Sequence, residues 1–566
     1  MTLRVSGNHF EPFSDIFSFV FAGRIKIFLN NLVFIIRKMK MKTTDSRRSF
    51  LKKSLLSTSV IGIAGNEVMA EKKQQSLNTD RLRALQSATQ AAFSEKDITP
   101  ALGMEQPGGY GKVFHKTIHD PCKVRASVFK DGSGSVAVVA VDALMVPASL
   151  VASARKKIEA QTRIPADAIL IAATHSHSSG PTGMVQPGEF DWADPLVKDL
   201  AYEKSSCANA DYLKTVEEQV VKAVVEANGK AGPAELGIGR GIEDKVAFNR
   251  RFFMKNGLTY THPGQLNPEI VKPAGPIDPE VGVIGAWDEK GKCIGCIVNY
   301  TCHTTTNPGG ASANWVYYLE QTIRGAFGQE CVVVFIQGAA GDVTQVDNRN
   351  VFVNRAGEEW ARFVGARVGA EAVKVLLDMP RGTLAPVAYK VHRENMKRRL
   401  PSPEKVKESV AIVKKKPEEV GATVWTFAKE TVMLDAMAKR QPTVPVEVQV
   451  IQIGPAAIIT NPAEYFCQFG LDIKLNSPFE YTFISMLANG CVGYVPTEQA
   501  LAAGGGGYET RLTLYSNLVP DAGTRMAAIG VDLARQLKPG EAPNGRPAPE
   551  FKGKPWEYGS VAPELS

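Results

Sequence analysis

The sequence predicts an α/β fold of mixed β-sheets flanked by helices, and three observations carry that prediction. Strand-like runs alternate with helical periodicities from about residue 85 to 380. Those runs are apolar throughout rather than alternating, as in sheets covered on both faces. The 566-residue chain is 44% hydrophobic and 22% charged, which is ordinary for a globular protein with a substantial core. The same composition argues against a collagen, a disordered chain and a polytopic membrane protein.

Taken in order, the chain opens on an address. Residues 1–70 hold eleven Lys/Arg against four acids, so a stretch of +7 accounts for nearly all of the net charge of +8. With the remainder near neutral, nucleic-acid binding loses its electrostatic footing. Ser46-Arg47-Arg48-Ser49-Phe50-Leu51-Lys52 sets a twin arginine before a short apolar stretch, and Val68-Met69-Ala70 ends it on a small residue. This pattern over 46–70 reads as a twin-arginine signal peptide, which implies the twin-arginine machinery as a partner in biogenesis and a periplasmic or extracellular destination. Residues 1–40 sit in front of that signal. They read as an overlong gene start, with translation beginning at Met39 or Met41, or as a membrane-associated leader.

Buried strands are expected at 135–141, 168–173, 296–300 and 331–337, and helices at 147–160, 212–226 and 358–377. A Lys/Glu-rich stretch at 393–440 with three prolines reads as an exposed helical excursion, a lid or surface hairpin. A strand pair, 444–453 and 456–460, follows around Gly454-Pro455, and the Pro/Gly-rich residues 541–566 read as a surface tail. No internal repeat is visible in the sequence. The eight cysteines are too few for a disulfide scaffold, and several lie in apolar runs that suit buried free thiols.

The chemistry gathers where strands end. Ala173-Thr174-His175-Ser176-His177 follows the 168–173 strand, and in extended backbone His175 and His177 would face the same way. Cys302-His303 ends a second strand, and Gly341-Asp342-Val343-Thr344 a third. Pro462-Ala463-Glu464 follows a fourth, and Gly493-Tyr494-Val495 precedes a glycine run ending at Tyr508-Glu509. Loops at the carboxyl ends of strands are where open α/β sheets gather ligands. Histidine and carboxylate ligands with an open position suit catalytic zinc.

In order and local spelling these pieces resemble the neutral/alkaline non-lysosomal ceramidase family, together with Asp97-Ile98-Thr99-Pro100, Ser179-Gly180-Pro181 and Asn249-Arg250. The resemblance spans roughly 90–515 and implies a catalytic domain over 71–540. It implies one Zn²⁺ held by His175, His303, Glu464 and Tyr494, with His177, Arg250 and Tyr508 in the active site. Two departures stand out. The family's Gly-Asp-Val-Ser-Pro-Asn reads Gly-Asp-Val-Thr-Gln-Val here, so Thr344 replaces a serine. Too few residues follow Tyr508 for the family's C-terminal immunoglobulin-like domain.

The expected activity is zinc-dependent hydrolysis of an amide (N-acyl) or ester bond in a small or lipid-like substrate, with peripheral contact to a membrane surface. Arg250, His177 and Tyr508 are expected to stabilise the oxyanion. Asp342 or His177 would shuttle protons, and Thr344 would position water or substrate. Four rival readings are weaker. A Cys₃His zinc site at Cys293, Cys296, Cys302 and His303 is disfavoured, because strand positions three apart face opposite ways. No Gly-x-Ser-x-Gly elbow or His-Glu-x-x-His helix is present. The last rival is a binding or scaffold protein that keeps the fold without catalysis.

Overall fold

A computed structural model describes residues 89–566 apart from 354 and 546. The expected leader and twin-arginine signal lie outside the described residues. The body is built from three sheets with one shared topology. The first contains β1 (Gln90–Asp97), β2 (Lys123–Lys130), β3 (Ser135–Val141), β4 (Ile169–Ala173) and the short β5 (Gly232–Pro233), in the order β4-β3-β2-β1-β5. The second starts with β6 (Glu235–Ile242). After a short β7 (Phe248–Asn249) and the small sheet of β8 (Arg251–Met254), β9 (Thr259–Thr261) and β10 (Ile270–Pro273), it continues with β11 (Glu280–Trp287), β12 (Cys293–Tyr300) and β13 (Val332–Gln337). Its order is β13-β12-β11-β6, and β14 (Val343–Thr344) pairs with β7. The third sheet is made of β15 (Val387–Lys397), β16 (Thr443–Ile453), β17 (Ala456–Thr460) and, beyond β18 (Glu464–Tyr465), β19 (Tyr481–Ser485), in the order β15-β16-β17-β19. The final strand, β20 (Tyr494–Val495), pairs with β18.

In each sheet three strands run antiparallel and the fourth returns parallel to the third across a helix. The crossovers are α1 (Ala148–Thr162) between β3 and β4, α3 (Trp315–Phe327) between β12 and β13, and α7 (Cys467–Asn476) between β17 and β19. Helix α2 (Ala210–Lys230) covers the first sheet, α4 (Gly357–Asp378) packs on α3, and α8 (Ala522–Arg535) on α7. The apolar faces meet in one core, where Val124 and Leu170 of the first sheet, Ile284 and Val334 of the second, and Ile451 and Phe483 of the third are buried together. Runs such as SVAVVAV in β3 are buried from the second residue on. This is why period-2 alternation is absent from the sequence.

The 393–440 stretch departs from its expected exposure. Helix α5 (Pro403–Val413) is largely exposed, but α6 (Ala422–Arg440) buries Ala428, Val432, Met433 and Met437 against Val185, Phe190 and Leu200. Charged Lys429 and Glu430 are buried with them. The Lys429 ammonium is satisfied by the Tyr110 carbonyl (2.6 Å), the Ser205 hydroxyl (2.7 Å) and the Glu430 carboxylate (3.3 Å). Composition hid this because only three of the fourteen Lys and Glu in the stretch lie in α6.

The eight cysteines are free thiols. A bulge between Gly295 and Cys293 turns Cys293 to the same face as Cys296, so strand alternation does not separate them. The Cys₃His site is excluded on a different ground, since the His303 ring lies in another cluster. No helix among the described residues is long and apolar enough to cross a membrane.

Candidate metal centre and active site

The shared topology places three strand-end loops side by side. β4 ends at Ala173, and His175 takes a left-handed backbone, φ 63°. It is this turn, and not strand alternation, that swings His175 towards His177. A left-handed non-glycine residue is strained by roughly 1–2 kcal/mol, and the surroundings hold it. Thr304 Oγ1 donates to the carbonyls of Thr174 (2.8 Å) and His175. His303 leaves β12 and is fixed by its backbone N–H to the Val343 carbonyl, 3.1 Å, while Trp315 Nε1 donates to its carbonyl, 3.0 Å. Glu464 stands on β18 directly opposite Tyr494 on β20. Gly341 packs against that strand so closely that a Cβ would fall 2.5 Å from the Glu464 carbonyl oxygen, which explains the glycine after Ala339-Ala340.

The histidine rings are anchored from behind. His175 Nδ1 lies 2.8 Å from the Leu144 carbonyl and His303 Nδ1 2.8 Å from the Ala340 carbonyl. A carbonyl can only accept, so each Nδ1 carries the proton and each Nε2 presents a lone pair. Those two Nε2 atoms are 2.9 Å apart, and His177 Nε2 is 3.2 Å from that of His175. Glu464 Oε2 stands 3.2 and 3.3 Å from the Nε2 atoms of His175 and His303. It is buried and, among the described residues, has no hydrogen-bond partner. Lone pairs converging with a carboxylate oxygen repel one another, and a cation between them reverses the sign. His175, His177 and His303 could hold a metal ion, and the orphaned Glu464 oxygen completes a donor set that fits a divalent cation.

Charge in the cluster follows from burial. Burial lowers His303 to about 3, with help from Arg250 and His175, and lowers His177 well below the usual imidazole range. Burial works to raise the Glu464 carboxyl, but His175 and then His303 outweigh it and hold it well below the usual carboxylate range. The site therefore presents neutral His303 and His177 rings beside the Glu464 carboxylate.

A donor cluster adjoins it. Tyr494 and Tyr508 hydroxyls are 3.1 Å apart, and Arg250 Nη2 donates to Tyr494 (3.2 Å) and to the Gly341 carbonyl (2.7 Å). The guanidinium carbon lies 5.7 and 5.2 Å from the two tyrosine ring centres. Burial, with the nearby Glu464 charge for Tyr494 and against Arg250 for Tyr508, raises both phenols, so they act as neutral donors. Arg250 Nε donates to Glu509 Oε1 at 2.8 Å, and Thr261 donates to the other oxygen.

A cavity of about 310 Å³ opens onto this arrangement, with His177, Glu464, Tyr494 and Tyr508 in its wall. Three expected residues are placed differently. Arg250 lies behind the tyrosines and touches the cavity through them. Asp342 is a brace: its oxygens accept from Cys467 N–H and Asn249 Nδ2, both 2.8 Å, so it is not free to shuttle protons. Thr344 is buried outside the cavity wall and donates to Gln345 Oε1 at 2.9 Å. That glutamine stands where the family spelling has proline. Glu509 was missed by sequence reasoning, and its only signal was a carboxylate beside Tyr508. Gly108 and Tyr110 were missed too. Gly108, φ 111°, lies so close over the His177 ring that a Cβ would meet Nδ1 at 2.4 Å.

The fold is thus a mixed-sheet α/β body that gathers a histidine–carboxylate cluster at the carboxyl ends of its strands. No protein-family model matches the chain, and no curated protein matches it in sequence. Two solved structures share the fold. One, a ceramidase complexed with C2, has a TM-score of 0.60 and 18% identity, covering 81% of this chain and 77% of its own. The other, neutral ceramidase from Pseudomonas aeruginosa, has a TM-score of 0.59 and 18% identity, covering 81% and 76%. At that identity the likeness is one of fold, and it matches the fold expected from the strand-end motifs.

Proposed function

We propose that this protein is an exported, zinc-dependent hydrolase that cleaves an amide bond in a small or lipid-like N-acyl compound, taking up water to give a carboxylic acid and an amine. One observation carries the reading: buried, unprotonated His175 and His303 nitrogens and an orphaned Glu464 oxygen converge beside neutral tyrosine donors on a cavity wall. His175, His303 and Glu464 would hold the metal, with Tyr494 and His177 at its border. Three or four nitrogen and oxygen donors suit Zn²⁺. Such an ion supplies a Lewis acid that polarises a carbonyl and acidifies water.

The chain's own residues do the rest. Tyr508 and Tyr494, kept neutral by burial, donate hydrogen bonds to the carbonyl oxygen as charge builds on it. Arg250 orients Tyr494 by donating to its hydroxyl and keeps positive charge behind both rings. His177, in the cavity wall, moves a proton from the attacking water to the departing amine. Gly108 and Tyr110 line the cavity with it. Export rests on the twin-arginine spelling of residues 46–70, and the lipid-like substrate on the ceramidase fold.

The test pairs elemental mass spectrometry of the mature chain with hydrolysis of a fluorogenic N-acyl sphingosine and a panel of simpler amides and esters. About one zinc per chain and turnover abolished by a chelator are expected. Absence of zinc after reconstitution would overturn the reading in favour of a non-catalytic binding scaffold.

A further inference from the structure

The cavity at the metal cluster adjoins a second chamber of about 90 Å³, and Tyr110, Met184 and Tyr515 belong to the walls of both. At 10–15 Å³ for each water-sized group, it has room for on the order of six non-hydrogen atoms. Its apolar wall is rich in methionine, with Met145, Met184 and Met433, side chains that adapt to small aliphatic groups.

The charged groups in the wall are already engaged. Arg398 donates to the Gln441 carbonyl (3.1 Å) and to Asn517 Oδ1 (2.6 Å). Glu189 accepts from Gln186 N–H at 2.8 Å, and Glu430 is paired with Lys429 at 3.3 Å. Ser205 donates to the Leu200 carbonyl at 2.8 Å, and the Tyr515 hydroxyl is 3.3 Å from Cys491 Sγ. The exception is Ser206. It is 1% exposed, and its hydroxyl has no hydrogen-bond partner among the described residues. A buried hydroxyl without a partner is unfavourable by about 1–3 kcal/mol, so this position awaits a polar atom that the protein does not supply.

We propose that this chamber binds a short aliphatic arm of the substrate carrying one hydroxyl, with Ser206 as its hydrogen-bonding partner and Tyr110 and Met184 at its threshold. The inference rests on the hydrolase reading and sharpens it: one half of the compound cleaved is a short hydroxylated arm, not a long unsubstituted chain. The single open hydroxyl calls for one polar atom, and the volume limits the length. The arm belongs to the acyl half or to the amine half of the substrate, and matched compounds separate the two.

The metal-loaded mature chain is given amides of butylamine with 3-hydroxybutyric, butyric or hexadecanoic acid, and amides of butyric acid with 3-hydroxybutylamine or butylamine. On one half, the hydroxylated member is expected to show about tenfold higher kcat/KM than its deoxy partner. Ser206→Ala should reduce that preference to within about twofold while leaving the deoxy compound unchanged. Removing an unpartnered hydroxyl does not threaten folding, and thermal unfolding would verify this. Hexadecanoyl preference without a hydroxyl preference on the amine half, no hydroxyl preference on either half, or an equal loss for every compound in Ser206→Ala would overturn the proposal. A bound water alone at Ser206 predicts the second of these. Should no amide turn over, the hydrolase reading fails by itself, and ligand-observed NMR on the metal-free chain judges the chamber. 3-Hydroxybutyramide or N-(3-hydroxybutyl)acetamide must bind more tightly than its deoxy counterpart in the wild type and not in Ser206→Ala. Equal binding would refute the chamber's role.

Discussion

Glu509→Ala removes the partner of a guanidinium that has nowhere else to place its charge. The Arg250 and Glu509 side chains are 4% and 0% exposed and 2.8 Å apart, with Thr261 donating to the second carboxylate oxygen. Breaking a buried pair from one side typically destabilises by about 3–5 kcal/mol, because the surviving charge stays desolvated. A body of this size unfolds with an entropy of roughly 1 kcal/mol per kelvin, so the melting temperature should fall by about 3–5 °C. Glu509→Gln keeps the acceptor but loses the charge, and should lower it by about 1–2 °C. Differential scanning calorimetry measures both. Arg250 still reaches Gly341 and Tyr494 but loses the carboxylate that fixes its Nε, so the metal ligands are untouched while the guanidinium is freed to shift from its place behind the tyrosines. Zinc content should be unchanged and kcat should fall at least tenfold, with little change in KM. A Glu509→Ala protein that melts within 1 °C of wild type with full kcat would refute the claim that this ion pair supports the site.

Three further outcomes are expected. His303→Ala should abolish tight zinc binding by elemental mass spectrometry, whereas His392→Ala, altering an exposed ring on β15, should leave it intact; zinc retained by both would remove His303 from the ligand set. Gly341→Ala must move the Glu464 strand away from a 2.5 Å clash, so zinc affinity should drop at least tenfold and stability by about 1–3 kcal/mol, measured by competitive chelation and thermal unfolding. Asp342→Ala strips the acceptor from Cys467 N–H and Asn249 and should destabilise by about 2–4 kcal/mol, yet the pH dependence of kcat in surviving protein should keep its shape, since Asp342 moves no proton.

Much of this site was legible because its chemistry sits at strand ends, where a run of apolar residues stops and a histidine or carboxylate begins. His175, His303 and Glu464 were found that way. The reason given for the convergence of His175 and His177 was wrong in kind: an extended chain was assumed, and a left-handed residue does the work. Period-2 reasoning also misread Cys293 and Cys296, because a bulge inserts one residue and leaves no mark in composition. Tyr110, Ser206 and Glu509 were invisible for a different cause. Tyr110 and Glu509 matter through partners hundreds of residues away, Lys429 and Arg250, and no local pattern encodes a distant neighbour, just as none marks the Ser206 hydroxyl as unpartnered. The shared topology of the three sheets was hidden too. Strand order is set by connections and pairing, which unrelated apolar runs satisfy equally well.

That shared topology has a kinetic consequence. Each sheet contributes one corner of the donor set, with His175 and His303 alone separated by 128 residues. A chain with any one sheet unformed has no place for the ion, so ion capture is a late event in assembly and adds its free energy only to the finished body. Such widely separated contacts make assembly slow. Occupancy therefore acts as a checkpoint: a loaded molecule is one in which all three sheets have already closed.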